Sequence, residues 1–272
     1  MIAEESTSFA GVTKPVHAGG LGFGFKWNMG WMNDSLRYLA EEPIHRQYHH
    51  DLMTFAMVYA YSENFILPIS HDEVVHGKGS MINKVPQDSW RQFATLRSFY
   101  SFMWGFPGKK LVFAGCEFGQ RAEFNEATSL EWWVTELWGH RGLQLLFKDL
   151  NRIYRENPAL WQLDNDPSGF RWINADDRGA NTFSWLRSDT DGNHVAVISN
   201  FSSEPWTAYR IGLPAAGVWD EILNSDAELY DGTGNFGNLG QVTAIDEPWN
   251  GLPASATVVV PPLGTVYLRQ RG

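Results

Sequence analysis

The chain has 272 residues, of which 43% are hydrophobic, so it is long enough for one large domain or two medium ones around a buried core. Its formal net charge of −10 argues against a polyanionic partner such as nucleic acid, because phosphate binding needs clustered Lys and Arg side chains. No apolar stretch is long enough to span a bilayer, and the single cysteine, Cys116, excludes an intrachain disulfide and favours a reducing, cytoplasmic location.

The first part of the chain, up to about residue 160, alternates short apolar runs with longer stretches of helical period, which is the pattern of βα units. The apolar runs predict strands at residues 1–3, 22–27, 65–69 and 110–114. Helical spacing predicts helices over residues 88–104 and 139–155, the first with its apolar residues mostly on one face. About four strand–helix units therefore fit into this part.

The second part changes to an apolar spacing of two, which predicts an all-β domain. Strands are predicted at residues 169–174, 182–187, 194–201, 208–213, 257–260 and 265–269. Turns rich in Gly, Asp, Asn and Pro separate them, and a length of roughly 100 residues is typical of an antiparallel β-sandwich. The domain boundary is placed near residues 164–168, which gives domains over residues 1–164 and 165–272.

Four strand–helix units are too few for a closed (β/α)₈ barrel, which needs eight strands. Half a barrel leaves two open sheet edges and an apolar interior exposed to water. We therefore expect residues 1–164 to be the second half of a TIM barrel, about strands five to eight, whose first half precedes residue 1. The alternative is a small open α/β sheet.

Polar residues directly follow two of the predicted strands. Glu4 follows the first strand, and His71 and Asp72 follow the third. Catalytic groups of parallel α/β barrels lie at the C-terminal ends of strands. Breaking a glycosidic bond needs one carboxyl group to protonate the departing oxygen and others to attack or stabilise the anomeric carbon. Taken alone, each of these residues is more often a helix cap, a solvated loop residue or a structural hydrogen-bonding group.

Four ordered motifs are more specific than these single residues. They are Met-Ile-Ala-Glu-Glu-Ser-Thr at 1–7, Gly-Phe-Lys-Trp-Asn-Met-Gly-Trp-Met-Asn-Asp at 24–34, Pro-Ile-Ser-His-Asp-Glu-Val-Val-His-Gly-Lys at 68–78, and Phe-Ala-Gly-Cys-Glu-Phe-Gly-Gln at 113–120, followed by Glu-Phe-Asn at 123–125. They resemble conserved segments of glycoside hydrolase family 13, the α-amylase superfamily, in the form found in glycogen branching enzymes. The β-domain occupies the place of that family's C-terminal domain.

The resemblance implies roles for the residues after the strands. Glu4 matches the family's general acid/base, and the adjacent Glu5 is the second candidate. Successive residues leaving a strand point to opposite sides, which favours Glu4 alone. Asp72 matches the carboxylate that grips sugar hydroxyls and helps distort the ring. His71 matches a donor of hydrogen bonds that strengthen as the oxocarbenium ion forms.

Further residues of the motifs are candidates for binding the glucan. They are Trp27, Asn28, Trp31, Asn33, His76, Lys78, Glu117 and Gln120. Rings could stack on glucose faces while amide groups bind hydroxyls. The alternatives are packing of the barrel rim for Trp31, solvation for Lys78, and satisfaction of buried backbone groups for Glu117 and Gln120. The resemblance requires no metal and no cofactor, and Cys116 is expected to be inert.

The family's retaining mechanism also needs an aspartate nucleophile in a Gly-x-Arg-x-Asp-Ala-Val-like segment, and no such segment occurs in residues 1–272. We therefore expect a portion of an enzyme that forms α-1,6 branches from α-1,4-glucan such as glycogen or amylose, inactive without the missing barrel half. Rival functions are a trehalose-releasing amylase or another α-glucanase of the superfamily. A non-catalytic glucan-binding remnant is the alternative outside the enzyme class.

Overall fold

The computed structural model describes residues 1–7 and 9–271. The first part of this described chain contains four strands and five α-helices: β1 (Ile2–Ala3), β2 (Phe25–Trp27), α1 (Met29–Leu39), α2 (Pro43–Arg46), α3 (Asp51–Thr54), β3 (Phe65–Ile69), α4 (Ser89–Gly105), β4 (Lys109–Val112) and α5 (His140–Glu156). All four predicted strands are present, although β2 is shorter at its start and β4 shorter at its end than predicted. Helices α1 to α3 have no counterpart in the prediction.

The four strands form one parallel sheet in the order β1-β2-β3-β4. Ala3 lies opposite Lys26, and Ile69 lies opposite Val112. Each strand is the neighbour of the next one along the chain, as expected of consecutive βα units. Within the described residues β1 and β4 each have only one strand partner, so both edges of the sheet are open.

The two faces of this sheet have different surroundings. Leu67 and Ile69 are buried in the main hydrophobic core together with the helices. Because side chains alternate along a strand, Ile66 lies on the opposite face, and Trp27 shares that face because it is in register with Ile66. We call the face with Trp27 and Ile66 the inner face and the other one the outer face.

The second part is an antiparallel β-sandwich. Its strands are β5 (Phe170–Asp177), β6 (Thr182–Ser188), β7 (His194–Asn200), β8 (Trp206–Leu213), β9 (Gly217–Asn224), β10 (Gln241–Ala244), β11 (Ala254–Val260) and β12 (Gly264–Gln270). The larger sheet has the order β10-β9-β12-β7-β6-β5, and β11 pairs with β8 in the smaller one. The sequence predicted six of these strands. It missed β9, whose Asp220 and Glu221 are residue types depleted in strands, and the short β10.

Helix α4 lies between the two parts of the molecule. The side chain of Asp88 accepts a hydrogen bond from Arg91 N at 3.1 Å and caps the helix, and every residue from Phe93 to Gly105 is buried. The prediction of one buried face is wrong, because strands β7 and β12 of the sandwich cover the side that would otherwise meet solvent. No pattern within the helix itself could indicate those distant strands.

The two parts share one hydrophobic core. It joins Phe99 and Phe102 of α4 to Trp185 and Tyr267 of the sandwich. The indole Nε1 of Trp185 also donates a hydrogen bond to the carbonyl of Gly105 at 3.0 Å. A second core fills the space between the two sheets of the sandwich. None of the described helices is long and apolar enough to cross a membrane.

Candidate active site

The predicted site residues follow the four parallel strands at one edge of the sheet. Glu4 follows β1, Asn28 follows β2, the β3 loop (residues 70–79) follows β3, and the β4 loop (residues 113–125) follows β4. Because parallel strands end at the same edge, these segments are neighbours in strand order there. The arrangement is the one in which groups from several strands can act on a single sugar.

The two adjacent glutamates after β1 have different environments. Glu4 is exposed, whereas Glu5 Oε2 lies 2.7 Å from Lys26 Nζ and Glu5 Oε1 accepts a hydrogen bond from Thr7 N at 2.7 Å. The bond to Lys26, followed by those to Thr7, lowers the pKa of Glu5 to about 2. The ion pair therefore holds Glu5 in its ionised form and makes it a poorer proton donor than an ordinary glutamate. Glu4 is therefore the better candidate for the general acid.

His71 and Asp72 lie on a single turn at the start of the β3 loop. The turn begins with a capping box, in which Glu73 Oε2 accepts from Ser70 N at 2.6 Å and Ser70 Oγ accepts from Asp72 N at 3.2 Å. His71 Nε2 lies 3.2 Å from Asp72 Oδ1, and both side chains are half exposed. The backbone is thus fixed while an imidazole and a carboxylate remain accessible to a sugar.

The segment after β2 contains both structural and accessible candidates. Asn28 is buried, and its Oδ1 accepts hydrogen bonds from Trp31 N at 2.9 Å and from Tyr59 OH at 3.1 Å. Trp31 is buried and stacks on Phe99 with ring centroids 5.9 Å apart. These contacts favour the packing alternative for Trp31 and make Asn28 the N-cap of α1. Asn33 is exposed on α1.

The predicted residues of the β4 loop mainly hold the loop together. Glu117 Oε2 accepts a hydrogen bond from Gly115 N at 2.7 Å. Gln120 is buried, its Oε1 accepts from Glu131 N at 2.9 Å, and its Nε2 donates to Ala122 O at 3.1 Å. These bonds favour the structural alternative, and glucan binding by either side chain stays a prediction.

Two further predicted residues, His76 and Lys78, lie exposed in the β3 loop. The carboxylate of Glu123, in the β4 loop, contacts the backbone amides of Gly77 and Gly79 on either side of Lys78. Sequence reasoning gave Glu123 no role, although it lies in one of the recognised motifs. Its partners are more than forty positions away along the chain, so no local pattern could indicate the contact.

Cys116 is buried, and burial raises the pKa of its thiol to about 12. The thiol therefore stays protonated at neutral pH, in agreement with the expectation that it is inert. Among residues 1–7 and 9–271 no group of three or more His, Cys, Asp or Glu side chains could hold a metal ion.

A cavity of about 380 Å³ lies beside β1 and β2, and two of the predicted glucan-binding residues, Trp27 and Asn28, line it. Its lining includes Glu5, Lys26 and Phe65. Lys26 and Phe65 are in register and lie on the outer face, because each is adjacent in its strand to an inner-face residue. The cavity therefore has lining residues from both faces of the sheet, and it adjoins the candidate active site at the end of β2.

Comparison with known proteins agrees with the fold. The family described as "Alpha amylase, C-terminal all-beta domain" matches residues 172–271. The crystal structure of an alpha-amylase from H. orenii has the same fold over 92% of this chain and 49% of that chain, with a TM-score of 0.54 and 15% sequence identity.

Curated relatives are much closer in sequence. The 1,4-alpha-glucan branching enzyme GlgB of Cutibacterium acnes is 71% identical over 270 residues, which are 99% of this chain and 42% of the relative. The enzymes of the same name from Leifsonia xyli and Frankia casuarinae are 55% and 58% identical over 99% and 98% of this chain, and 37% and 33% of their own lengths. The chain thus spans less than half the length of the branching enzymes it matches.

Proposed function

We propose that this chain, which is similar over nearly its whole length to the C-terminal portion of 1,4-alpha-glucan branching enzymes, forms the second half of the catalytic barrel of such an enzyme. One observation carries the proposal. Glu4 follows β1 and the His71-Asp72 pair follows β3, the two neighbours of β2, at the same edge of one parallel sheet, in a chain that is 71% identical to a branching enzyme.

The open edges of the sheet support the proposal that these four strands are half of a barrel. Within the described residues β1 and β4 each have a strand partner on one side only, which leaves backbone groups unpaired along the other side. An isolated parallel sheet with such edges is rare, because these groups are normally paired or covered. Four further parallel strands would pair with both edges and enclose the inner face as a barrel interior.

Glu4 acts in both steps of the proposed reaction. In the first step a carboxylate from the missing half attacks the anomeric carbon of an α-1,4-glucan, and Glu4 gives its proton to the departing O4. In the second step ionised Glu4 takes the proton from the 6-hydroxyl of an acceptor glucan. That oxygen then attacks the anomeric carbon and releases the carboxylate, which yields an α-1,6 linkage.

His71 and Asp72 bind the sugar at the point of cleavage. The imidazole donates a hydrogen bond to a sugar hydroxyl, and the Asp72 carboxylate accepts from others. The interaction with Asp72 strengthens as positive charge develops at the anomeric carbon, because the hydroxyls become better donors to the carboxylate, so it favours the transition state over the bound substrate. We place the reaction in the cytoplasm, since the thiol of Cys116 is unpaired.

The experiment compares this chain with a complete enzyme in which the N-terminal portion of the Cutibacterium acnes relative precedes it. We expect α-1,6 linkages to form from amylose only with the complete enzyme, because the chain alone lacks the nucleophile. Reducing ends without α-1,6 linkages would instead identify a hydrolase of the superfamily. Binding of amylose without any bond cleavage would leave a glucan-binding role.

A further inference from the structure

The β3 and β4 loops are joined along their backbones. Phe124 N donates a hydrogen bond to Val74 O at 2.8 Å, and Val75 pairs with Phe124 in an isolated parallel bridge. The ring of Phe124 also packs edge-on against Phe113, with centroids 4.7 Å apart, and Phe113 lies 6.0 Å from the imidazole of His71. The position of the β3 loop therefore depends on the β4 loop.

Glu123 makes the contact nearest the tip of the β3 loop. Its Oε1 accepts a hydrogen bond from Gly79 N at 2.7 Å, and its Oε2 accepts from Gly77 N at 3.1 Å. Gly77 and Gly79 have φ angles of +82° and +74°, a conformation that L side chains rarely adopt. The two glycines thereby turn their amides toward one carboxylate. Hydrogen bonds from neutral amides to an ionised group are among the stronger ones in proteins.

Lys84 adds a further contact to this turn, since its Nζ donates a hydrogen bond to the carbonyl of Lys78 at 2.7 Å. The turn is therefore held by Glu123 at two amides and by Lys84 at one carbonyl. The side chain of His76 remains fully exposed, although its Nδ1 lies 3.4 Å from Glu123 Oε2.

The β3 loop is thus fixed at two points that serve different residues. The capping box of Ser70 and Glu73 fixes the start of the loop, where His71 and Asp72 lie. Glu123 fixes the later part, where His76 and Lys78 project into solvent. The capping box does not involve the side chains that would meet a glucan, whereas Glu123 also lies 3.4 Å from the imidazole of His76.

We propose that Glu123 is a positioning residue, which holds the Gly77-Lys78-Gly79 turn so that His76 and Lys78 meet the glucan beyond the bond that is cut. The substrate part of this inference rests on the proposed function. A residue of this kind acts on binding of the polymer more than on the chemical step, because it touches neither the anomeric carbon nor its leaving group.

The test uses the complete enzyme described above with Glu123→Ala, Glu123→Asp and Glu126→Gln. Glu126 is the matched control, since it is exposed and its side chain makes no hydrogen bond or ion pair within the described residues. Hydrogen exchange of the peptide over residues 74–80 reports on the turn. Steady-state kinetics with amylose report kcat and KM separately.

We expect Glu123→Ala to abolish the exchange protection of the Gly77 and Gly79 amides within this peptide and to lower kcat/KM roughly tenfold or more, mainly through KM. Glu123→Asp keeps a carboxylate and recovers part of both effects, and Glu126→Gln changes neither. If the Gly77 and Gly79 amides stayed protected from exchange in Glu123→Ala, the inference that Glu123 holds the turn would be overturned. Lost protection with kcat/KM within about twofold of the parent would overturn the positioning role.

Two outcomes separate this inference from the proposed function. A parent enzyme without branching activity would overturn the proposed function and the substrate part of the inference, while exchange would still decide whether Glu123 holds the turn. If Glu123→Ala lowered both kcat and the unfolding temperature while KM stayed unchanged, the role of Glu123 would be merely structural, and the positioning role would be overturned.

Discussion

Lys26 Nζ, on β2, lies 2.7 Å from the Oε2 atom of Glu5, the residue that directly follows the exposed Glu4. The contact commits one of two neighbouring carboxylates to an ion pair on the outer face. It therefore separates a structural glutamate from a candidate catalytic one, although the two residues are chemically identical.

The first prediction concerns Glu5→Gln. The ion pair and hydrogen bonds lower the pKa of Glu5 from 4.5 to about 2, so the ionised form stabilises the folded state above pH 4.5. This contribution is lost as the pH falls from 4.5 to 2. We expect Glu5→Gln to lower the unfolding temperature of the complete enzyme at pH 7, and the difference from the parent to shrink below pH 4.

Thermal unfolding followed across this pH range is the measurement, with Glu4→Gln as the control. Glu4 is exposed, so its replacement should leave the unfolding temperature unchanged at every pH. A constant difference between Glu5→Gln and the parent from pH 7 to pH 3 would show that the ion pair does not cause the effect.

The second prediction separates Glu4 from Asp72 by their roles in a complete enzyme. Gln at position 4 keeps the shape of the side chain but removes its transferable proton. We expect Glu4→Gln to slow amylose cleavage by about 10²–10⁴-fold. An activated glycosyl fluoride should lose much less in the first step, because fluoride leaves without a proton. Burst kinetics with both substrates are the measurement.

Asp72→Asn should slow both substrates to a similar degree, because ring distortion and charge stabilisation are needed whatever group leaves. The ratio of the two rates therefore distinguishes the variants. If Glu5→Gln lost the amylose reaction selectively and Glu4→Gln did not, the general acid would be Glu5 and the match to the family motif would be shifted by one residue.

The sequence predicted the strands of the parallel sheet because each is a compact apolar run followed by polar residues. It could not predict that α4 is buried all round, since the strands that cover it, β7 and β12, begin only at His194 and Gly264. The N-cap role of Asn28 could have been inferred from its residue type at a helix start. The hydrogen bonds of Glu123 could not have been inferred, because its partners Gly77 and Gly79 are distant in sequence.

The third prediction follows from the core shared by the two parts. A β-sandwich expressed as residues 165–271 would expose Trp185 and Tyr267, which are buried against α4 in the whole chain. We expect this piece to bind a hydrophobic dye and to lack a cooperative thermal transition. A matched piece that starts at residue 85 retains α4 and should bind less dye. A cooperative, dye-free unit from residue 165 would contradict the prediction and establish an independent domain.

The last prediction concerns Asp164, where the chain passes from the first part to the sandwich. Its Oδ1 accepts a hydrogen bond from Arg187 Nη2 at 2.6 Å, and both side chains are almost completely buried. Its Oδ2 accepts from Lys109 Nζ at 3.0 Å and from Tyr154 OH at 2.9 Å. Removing one partner of a buried ion pair leaves the other charge uncompensated, so we expect Asp164→Asn to lower the free energy of unfolding by about 3–5 kcal/mol.

Replacing both partners tests whether the uncompensated charge is the cause. Asp164→Asn combined with Arg187→Met removes the buried guanidinium and should be more stable than Asp164→Asn alone, because no buried cation remains in Arg187's place. Asp191→Asn, in the exposed turn between β6 and β7, is the control and should stay within about 0.5 kcal/mol of the parent. Denaturant unfolding of the complete enzyme is the measurement. A double variant less stable than Asp164→Asn would mean that Arg187 stabilises the junction through its bonds to the carbonyls of Gly105 and Gly169 rather than through the ion pair.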